Sequence, residues 1–324
     1  YRHKPAHQMA AEIEALSAKH QLLSLAFMDN LIPFESESLF EGLAESKRDL
    51  RLFCEIRAVT PHRFLEKMKA AGVGELQIGI EALSTRLLKK LNKGTTAIQN
   101  LEIMKNCEEL GLTNTSNLII HFPGSDRTDV EETLKTIDFA LPFRPMRVVR
   151  FWLGLGSPVW QHPANFGIRA VFNHPHWRIL LSSRKFSRLM LPLQSYRGDR
   201  MRQRKLWKPV REKVQQWHHL YDRLHRDSSS EPILSYRDGG DFMIIRQKRL
   251  DADLLTHRLV GASRQIYLFC RRRQSFKAVA ERFPGLGEDG IRSFLRMMVN
   301  KRLMYEENTH FLSLAVAVRP RNDR

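Results

Sequence analysis

The chain has 324 residues, 42% hydrophobic and 27% charged, which is ordinary for a folded protein with a large core and two or three domains. Its formal net charge of +18 favours an acidic partner such as nucleic acid, an anionic lipid surface or an acidic peptide. The plainer alternative is an arginine-rich solvated surface, and the lack of a long uncharged apolar run excludes a helical membrane span.

The elements follow one another as helix and strand. "PAHQMAAEIEALSAKH" has the apolar spacing and residue types of a helix, and "LLSLAFMDN" is a short apolar strand ending in polar residues. A helix over 36–46 precedes the strand "LRLFCEIRA", and a further helix covers 61–71, with Pro61 at its first position and Gly72 at its end. "ELQIGIEALS" gives a strand over 75–81, followed by helices over 84–91 and 96–110, with Gly111 as a stop. The strand "TSNLIIHFPG", a helix opening near Asp126 and the strand "MRVVRFWLG" close the series. Strands alternating with helices predict an α/β domain with a parallel sheet.

The strand ends share a feature. Asp29, Asn30, Glu55, Arg57, Glu81, His121 and Arg150 all fall at or near a C-terminal strand end, where α/β barrels carry their sites. Alternation puts Arg51, Phe53, Glu55 and Arg57 on one side of their strand and Leu50, Leu52, Cys54 and Ile56 on the other. Gln77, Gly79 and Glu81 form the polar side of the next strand, and Asn117 and His121 that of the one after. A dry lumen lined this way is costly, whereas a polar cofactor would satisfy it. The plain alternatives are a Glu55–Arg57 ion pair, a core histidine at 121 and close packing at Gly79.

Three cysteines occur, Cys54, Cys107 and Cys270, and their spacing forms no CxxC or CxxxCxxC motif. No metal site within this chain and no disulfide framework is expected, and a reducing cytoplasm is the simplest setting.

"FMDN", "EIRA", "LQIGIEALS…LNKGT" and "NLIIHFPGSD", in that order, resemble the radical S-adenosylmethionine (radical SAM) superfamily, and their spacing resembles its cobalamin-binding branch. From "YRHKPAHQM" through "HPANFGI" to "FLSLAV", nearly the whole chain is similar to radical SAM maturases of ribosomally synthesised, modified peptides. The resemblance implies a partial (β/α)6 TIM-like barrel, S-adenosylmethionine, a 4Fe–4S cluster and, in that branch, cobalamin. It implies C-methylation of a precursor peptide through a 5′-deoxyadenosyl radical. Carried over by position, Asp29 and Asn30 match the motif that holds the methionyl amino group, and Glu81 and Ser84 the motif near ribose and carboxylate. Pro123 and Gly124 match the motif along the adenine, and Glu55, Arg57, Asn117 and His121 join the set as polar strand-end residues. The family's cluster-binding loop and first strand have no counterpart in this sequence. The chain is therefore expected to be the C-terminal part of such an enzyme, inactive alone, with no cofactor held by this part unaided.

After the barrel, expected over 1–160, residues 161–232 are read as a basic helical extension and linker. Trp207, Trp217 and Tyr221 are expected to pack inward there, a nucleic-acid backbone site being the alternative. "RDSSSEP" reads as a linker and the 319–324 tail as disordered. Residues 233–324 are read as a winged-helix-like α+β module: a hairpin around Asp238–Gly240, helices over 251–260, 262–272, 275–282 and 288–301, and a second hairpin. The expected partner is a precursor peptide with an acidic leader, added to the hairpin edge at 306–318. No membrane partner and no nucleic acid is expected. The second reading is a basic winged-helix nucleic-acid or peptide binder with a vestigial barrel.

Overall fold

The computed structural model describes residues 4–29, 31–226, 231–250 and 252–318. Asn30, most of the expected linker and the 319–324 tail lie outside the described residues.

The first unit alternates as read. It comprises α1 (Ala6–His20), β1 (Ser24–Ala26), α2 (Glu37–Glu45), β2 (Arg51–Arg57), α3 (His62–Ala70), β3 (Val73–Gly79), α4 (Thr85–Lys90), α5 (Ala97–Leu110), β4 (Thr113–Asn114), β5 (Asn117–Ile120), α6 (Arg127–Ala140) and β6 (Arg147–Arg150). β1, β2, β3 and β4 form one parallel sheet in that order, and β5 pairs in parallel with β6. A parallel bridge from Glu81 to Leu118 joins the two sets. Burial alternates along β2: Leu52, Cys54 and Ile56 are buried, while Phe53 and Glu55 are half-buried and Arg51 and Arg57 exposed. One face of the sheet is thus committed to apolar packing and the other is left polar. Pro61 precedes the helix that it was expected to begin, because its backbone is extended (φ −63°, ψ 144°) and His62 is the first helical residue.

The following region is not simply helical. It contains β7 (Leu153–Gly154), α7 (Pro158–Gln161), β8 (Ala170–Asn173), α8 (Ser183–Arg188) and β9 (Leu193–Arg197), then α9 (Arg200–Leu206) and α10 (Lys208–Arg226). β7, β9 and β8 form an antiparallel sheet, a pairing across distant segments that helical periodicity cannot reveal. On α10 and just before it, Trp217 and Trp207 are fully buried. Their indole N–H groups donate to the Phe143 carbonyl at 3.0 Å and to Ser125 Oγ at 2.9 Å, and the Tyr221 hydroxyl donates to Glu108 at 3.2 Å.

The last unit has β10 (Leu234–Asp238), β11 (Phe242–Arg249), β12 (Ala252–Val260), α11 (Gly261–Phe269), β13 (Gln274–Ser275), α12 (Phe276–Arg282), α13 (Gly287–Asn300), β14 (Met304–Glu307), β15 (His310–Ser313) and β16 (Val316–Ala317). The segment read as a helix over 251–260 is β12, paired antiparallel with β11 from Phe242↔Val260 to Gln247↔Leu255. Ladder pairing overrides the mixed local propensity of "DLLTHRLV". The hairpin edge expected to be open at 306–318 is largely occupied: β15 pairs with β13, and β16 with β10. On α13, Ile291, Leu295 and Met298 point inward, and Arg292, Arg296 and Lys301 are exposed.

The last unit docks on α5. The buried Lys105 ammonium donates to the Arg271 carbonyl, Arg271 pairs with Glu109, and Arg273 pairs with Glu102. Burial, partly offset by Glu109 and Glu102, lowers the Lys105 pKa to about 8. From β14, the Glu307 carboxylate accepts from the Thr85 hydroxyl and, at 2.8 Å, from the Ile98 amide in the first turn of α5. A carboxylate there satisfies an otherwise orphaned amide at the positive end of the helix. Glu307→Ala leaves that amide without its acceptor and is expected to lower stability by about 1–3 kcal/mol. Glu307→Gln should lose less, and thermal unfolding of the two variants beside the parent chain checks this.

Candidate functional site

The polar face of the sheet reaches solvent at its strand ends. Glu55 lies opposite Gln77, and Arg57 opposite Gly79, across the β2–β3 pairing. The loop after β1 is held beside the end of β2 by Phe27 N–H to Phe53 O and Ile32 N–H to Glu55 O, both 3.0 Å, so the exposed Asp29 overhangs that end. Among the described residues, Glu55 and Arg57 make no ion pair with each other, and neither they, Gln77 nor Asn117 has a side-chain hydrogen bond to protein. The ion-pair alternative for Glu55 and Arg57 therefore falls. A row of half-buried polar groups without protein partners is suited to a polar ligand.

Two of these positions carry unusual backbone. Glu81, two residues beyond the end of β3, has φ +64°, and His121, directly after β5, has φ +61°. Side-chain-bearing residues rarely adopt this left-handed region, and where they do the surroundings must hold them. Around Glu81 the support is explicit. The Asn100 side-chain amide donates to Ile80 O at 3.2 Å and Ala82 O at 2.8 Å, on either side of it. The Ile119 amide donates to the Glu81 carbonyl at 2.8 Å, and Lys93 pairs with the Glu81 carboxylate at 3.1 Å.

Beside His121, Phe122 is buried edge-on between Phe151 (5.1 Å) and Phe166 (5.6 Å). Ser125 Oγ, one turn further, lies 2.7 Å from both Phe122 O and Gln203 Oε1, to either of which its one O–H can donate, and the Gln203 amide donates to Ser125 O at 2.9 Å, so α9 braces the loop. Pro123 is buried, and Gly124 has φ +82°, which only glycine adopts without strain, with Phe166 against the site a Cβ would fill. The His121 imidazole is held below its usual pKa, chiefly by burial and further by Arg150, Arg204 and Arg211. That shift favours the neutral ring, which can donate one hydrogen bond and accept one.

Ser84 is placed differently from the other candidates. It is buried, accepts from the Leu87 amide at 3.1 Å as the cap of α4, and donates to Glu132 at 2.7 Å on α6. Its hydroxyl is engaged on the helix side and is not available to a ligand without losing the cap. Sequence reasoning missed Lys93, Asn100, Gln203, Arg204 and Arg211. Lys93 lies within the quoted "LNKGT", but nothing in a helix such as "AIQNLEIMKNCEEL" distinguishes a brace from a surface amide.

The cysteines do not fit an iron–sulfur cluster. Cys54, Cys107 and Cys270 are buried, and burial pushes each thiol up, Cys54 and Cys270 to about 12. Cluster ligation requires thiolates gathered at one place, and among the described residues no group of three or more metal-ligating side chains exists. The strand-end row, by contrast, fits a polar ligand such as S-adenosylmethionine.

A parallel α/β unit whose strand ends converge on one polar, solvent-reaching row has the arrangement in which barrel folds carry their sites. Residues 1–137 match the family model of the radical SAM superfamily. The chain is 28% identical over 136 residues to an uncharacterized methyltransferase of Pyrococcus horikoshii, covering 40% of this chain and 30% of that protein. It thus spans about a third of the length of that curated relative. Among solved structures it resembles the radical S-adenosylmethionine methyltransferase TsrM from Kitasatospora setae, shown with a tryptophan substrate and a SAM analogue (15% identity, TM-score 0.49, 66% of this chain and 46% of that one). It also resembles the cobalamin-dependent S-adenosylmethionine radical enzyme OxsB (16% identity, TM-score 0.39, 49% of this chain and 25% of that one). Both structural likenesses are remote. Among the described residues no helix is long and apolar enough to cross a membrane.

Two outcomes follow from this geometry. Asn100→Leu removes the donor that brackets Glu81 and is expected to lower stability by about 1–3 kcal/mol, with a smaller loss for Asn100→Gln, as thermal unfolding would read. For His121, a lowered folded pKa means that the unfolded chain binds more protons between that value and about 6.5, so stability from the neutral ring is lost as pH falls through this window. Its NMR titration midpoint should lie below the ordinary value, and Arg150→Ala should raise it only in part, because burial is the larger cause.

Proposed function

We propose that the chain is the S-adenosylmethionine-binding barrel and C-terminal part of a radical SAM enzyme that modifies a ribosomally made peptide, most simply by C-methylation. The observation that carries the reading is the row of unpartnered polar side chains at successive strand ends, with Glu81 and His121 held in left-handed backbone. Asp29 and Glu81 would accept from the cofactor's ammonium and hydroxyl groups, while Glu55, Asn117 and His121 line the same polar face. Gly124 would leave room beside the adenine. Asn30 belongs to this set by position alone, and Ser84 is left out because its hydroxyl caps α4. Bound there, S-adenosylmethionine would supply a methyl or adenosyl group, and the residues of this chain orient it and limit its exposure to water. Cobalamin, as in the branch that the motifs resemble, is part of the proposal for the whole enzyme.

The last unit follows the order helix, strand, helix, helix, hairpin, which supports its reading as a winged-helix-like module. A precursor peptide is the partner we assign to it. Two features of α13 count against a base-reading helix: Arg292 is stacked 3.8 Å over Phe276, and Asn300 is the only amide on its exposed face. The expected cytoplasmic setting remains part of this reading.

Calorimetric titration with S-adenosylmethionine of the whole enzyme that would contain this chain, rather than of this part unaided, tests the assignment. Glu81→Ala and Asp29→Ala should each weaken binding by about 1–3 kcal/mol, because a cofactor donor loses its acceptor in a partly desolvated site. Unchanged affinity in both would sink the assigned roles.

A further inference from the structure

Between β8 and β9, residues 174–192 leave the antiparallel sheet and return to it. Leu191 is buried and Trp177, Leu181 and Phe186 are half-buried, but four of their apolar side chains do not turn inward: Ile179 is 83% exposed, Leu180 75%, Met190 65% and Leu189 47%. Among them stand the exposed cations Arg178, Arg184, Lys185 and Arg188, none of which has a carboxylate partner among the described residues. The supply of acid is absent for a long way, since residues 139–198 contain no Asp or Glu.

The excursion is tied down, so the exposure is a property of its shape. The Asn173 side chain donates to Phe186 O at 3.0 Å and Leu189 O at 2.7 Å, and accepts from the Leu191 amide at 3.1 Å. The Trp177 indole donates to Leu193 O at 3.0 Å, and Arg178 lies 4.9 Å over the Phe186 ring. These contacts fix the base while the apolar tips project.

Projecting tips decide the kind of partner. A side chain that lines a peptide groove is shielded by the opposite wall, and 83% exposure leaves Ile179 no such wall. Apolar tips ringed by unpaired lysine and arginine instead match the boundary of headgroups and acyl chains, where the tips enter hydrocarbon and the cations meet lipid phosphates. We propose that this excursion docks the protein on an anionic bilayer surface without spanning it. The excursion is attached through β7 to the end of β6, so docking holds the strand-end side of the barrel near the bilayer.

The experiment is co-sedimentation of the whole chain at physiological salt with phosphatidylcholine vesicles, with and without phosphatidylglycerol. It compares the chain with the exposed double variant Ile179→Asn/Leu180→Asn and the control Leu254→Asn/Leu255→Asn, which removes apolar surface on β12. Circular dichroism establishes that each is folded. The chain should bind the anionic vesicles, the Ile179/Leu180 variant about tenfold more weakly or worse, and the control as the parent does. No vesicle binding, or equal binding by all three, would overturn the proposal, since the net charge of +18 would then account for any attraction. Binding of a peptide of alternating Glu and Leu that depends on Ile179 and Leu180, with no vesicle binding, would also overturn it and assign the face to an acidic peptide.

Discussion

The Asn100 side chain donates to the carbonyls of Ile80 and Ala82, and the left-handed turn at Glu81 is trapped between those two bonds. The amide's own oxygen is buried without a partner among the described residues, so the position is held for its donor. Asn100 can do this because α5 is buried on several faces, with Leu101, Ile103, Met104 and Cys107 in the core. The same helix receives the Glu307 carboxylate at its first turn and presents Lys105 to the Arg271 carbonyl. One helix thus fixes the strand-end geometry on one side and the C-terminal unit on the other. A change that shifts α5 is felt at both.

Around that helix the sheet divides its labour by the alternation of strand side chains. Leu52, Cys54, Ile56, Leu76 and Ile78 are buried, which commits one face to apolar packing. The opposite face carries Glu55, Gln77, Asn117 and His121, half-buried and without side-chain partners among the described residues. Polar groups in that condition are stable only with water or a ligand beside them. Burial, and after it the arginines around His121, hold the imidazole pKa down, and those arginines give that end of the row a positive field, which favours anionic groups. The loop after β5 can carry His121 in strained backbone because Ser125, Gln203 and Trp207 form a closed, buried hydrogen-bond network beneath it.

The positive charge is unevenly spread, and its distribution gives it meaning. Where carboxylates are available, as along α3, α5 and α6, the cations are mostly paired, for example Lys67 with Glu37 and Lys90 with Asp129. Residues 139–198 have none, and among the described residues their arginines are exposed and make no ion pair with a carboxylate. Interleaved apolar tips then turn a merely basic surface into an amphiphilic one.

Period and punctuation in the sequence determined much of this protein. The strand–helix alternation, the stop at Gly111, the two faces of β2 and the inward stripe of α13 follow from local spacing, because adjacent residues on a strand or helix face opposite or offset directions whatever surrounds them. The strand-end polar row was legible for the same reason. Tertiary structure decided what depends on partners distant in the chain. β12 is a strand because β11 offers it a ladder, and β8 and β9 pair across the excursion, although neither segment announces this locally. Ser84 caps a helix while Asn100, sixteen residues later in the chain, braces the turn at Glu81, since a side chain's role is set by which polar groups packing brings within hydrogen-bond reach. Exposure was the least legible property: Ile179 and Leu180 read as core residues by type, and only the course of the chain between β8 and β9 leaves them with nothing to pack against.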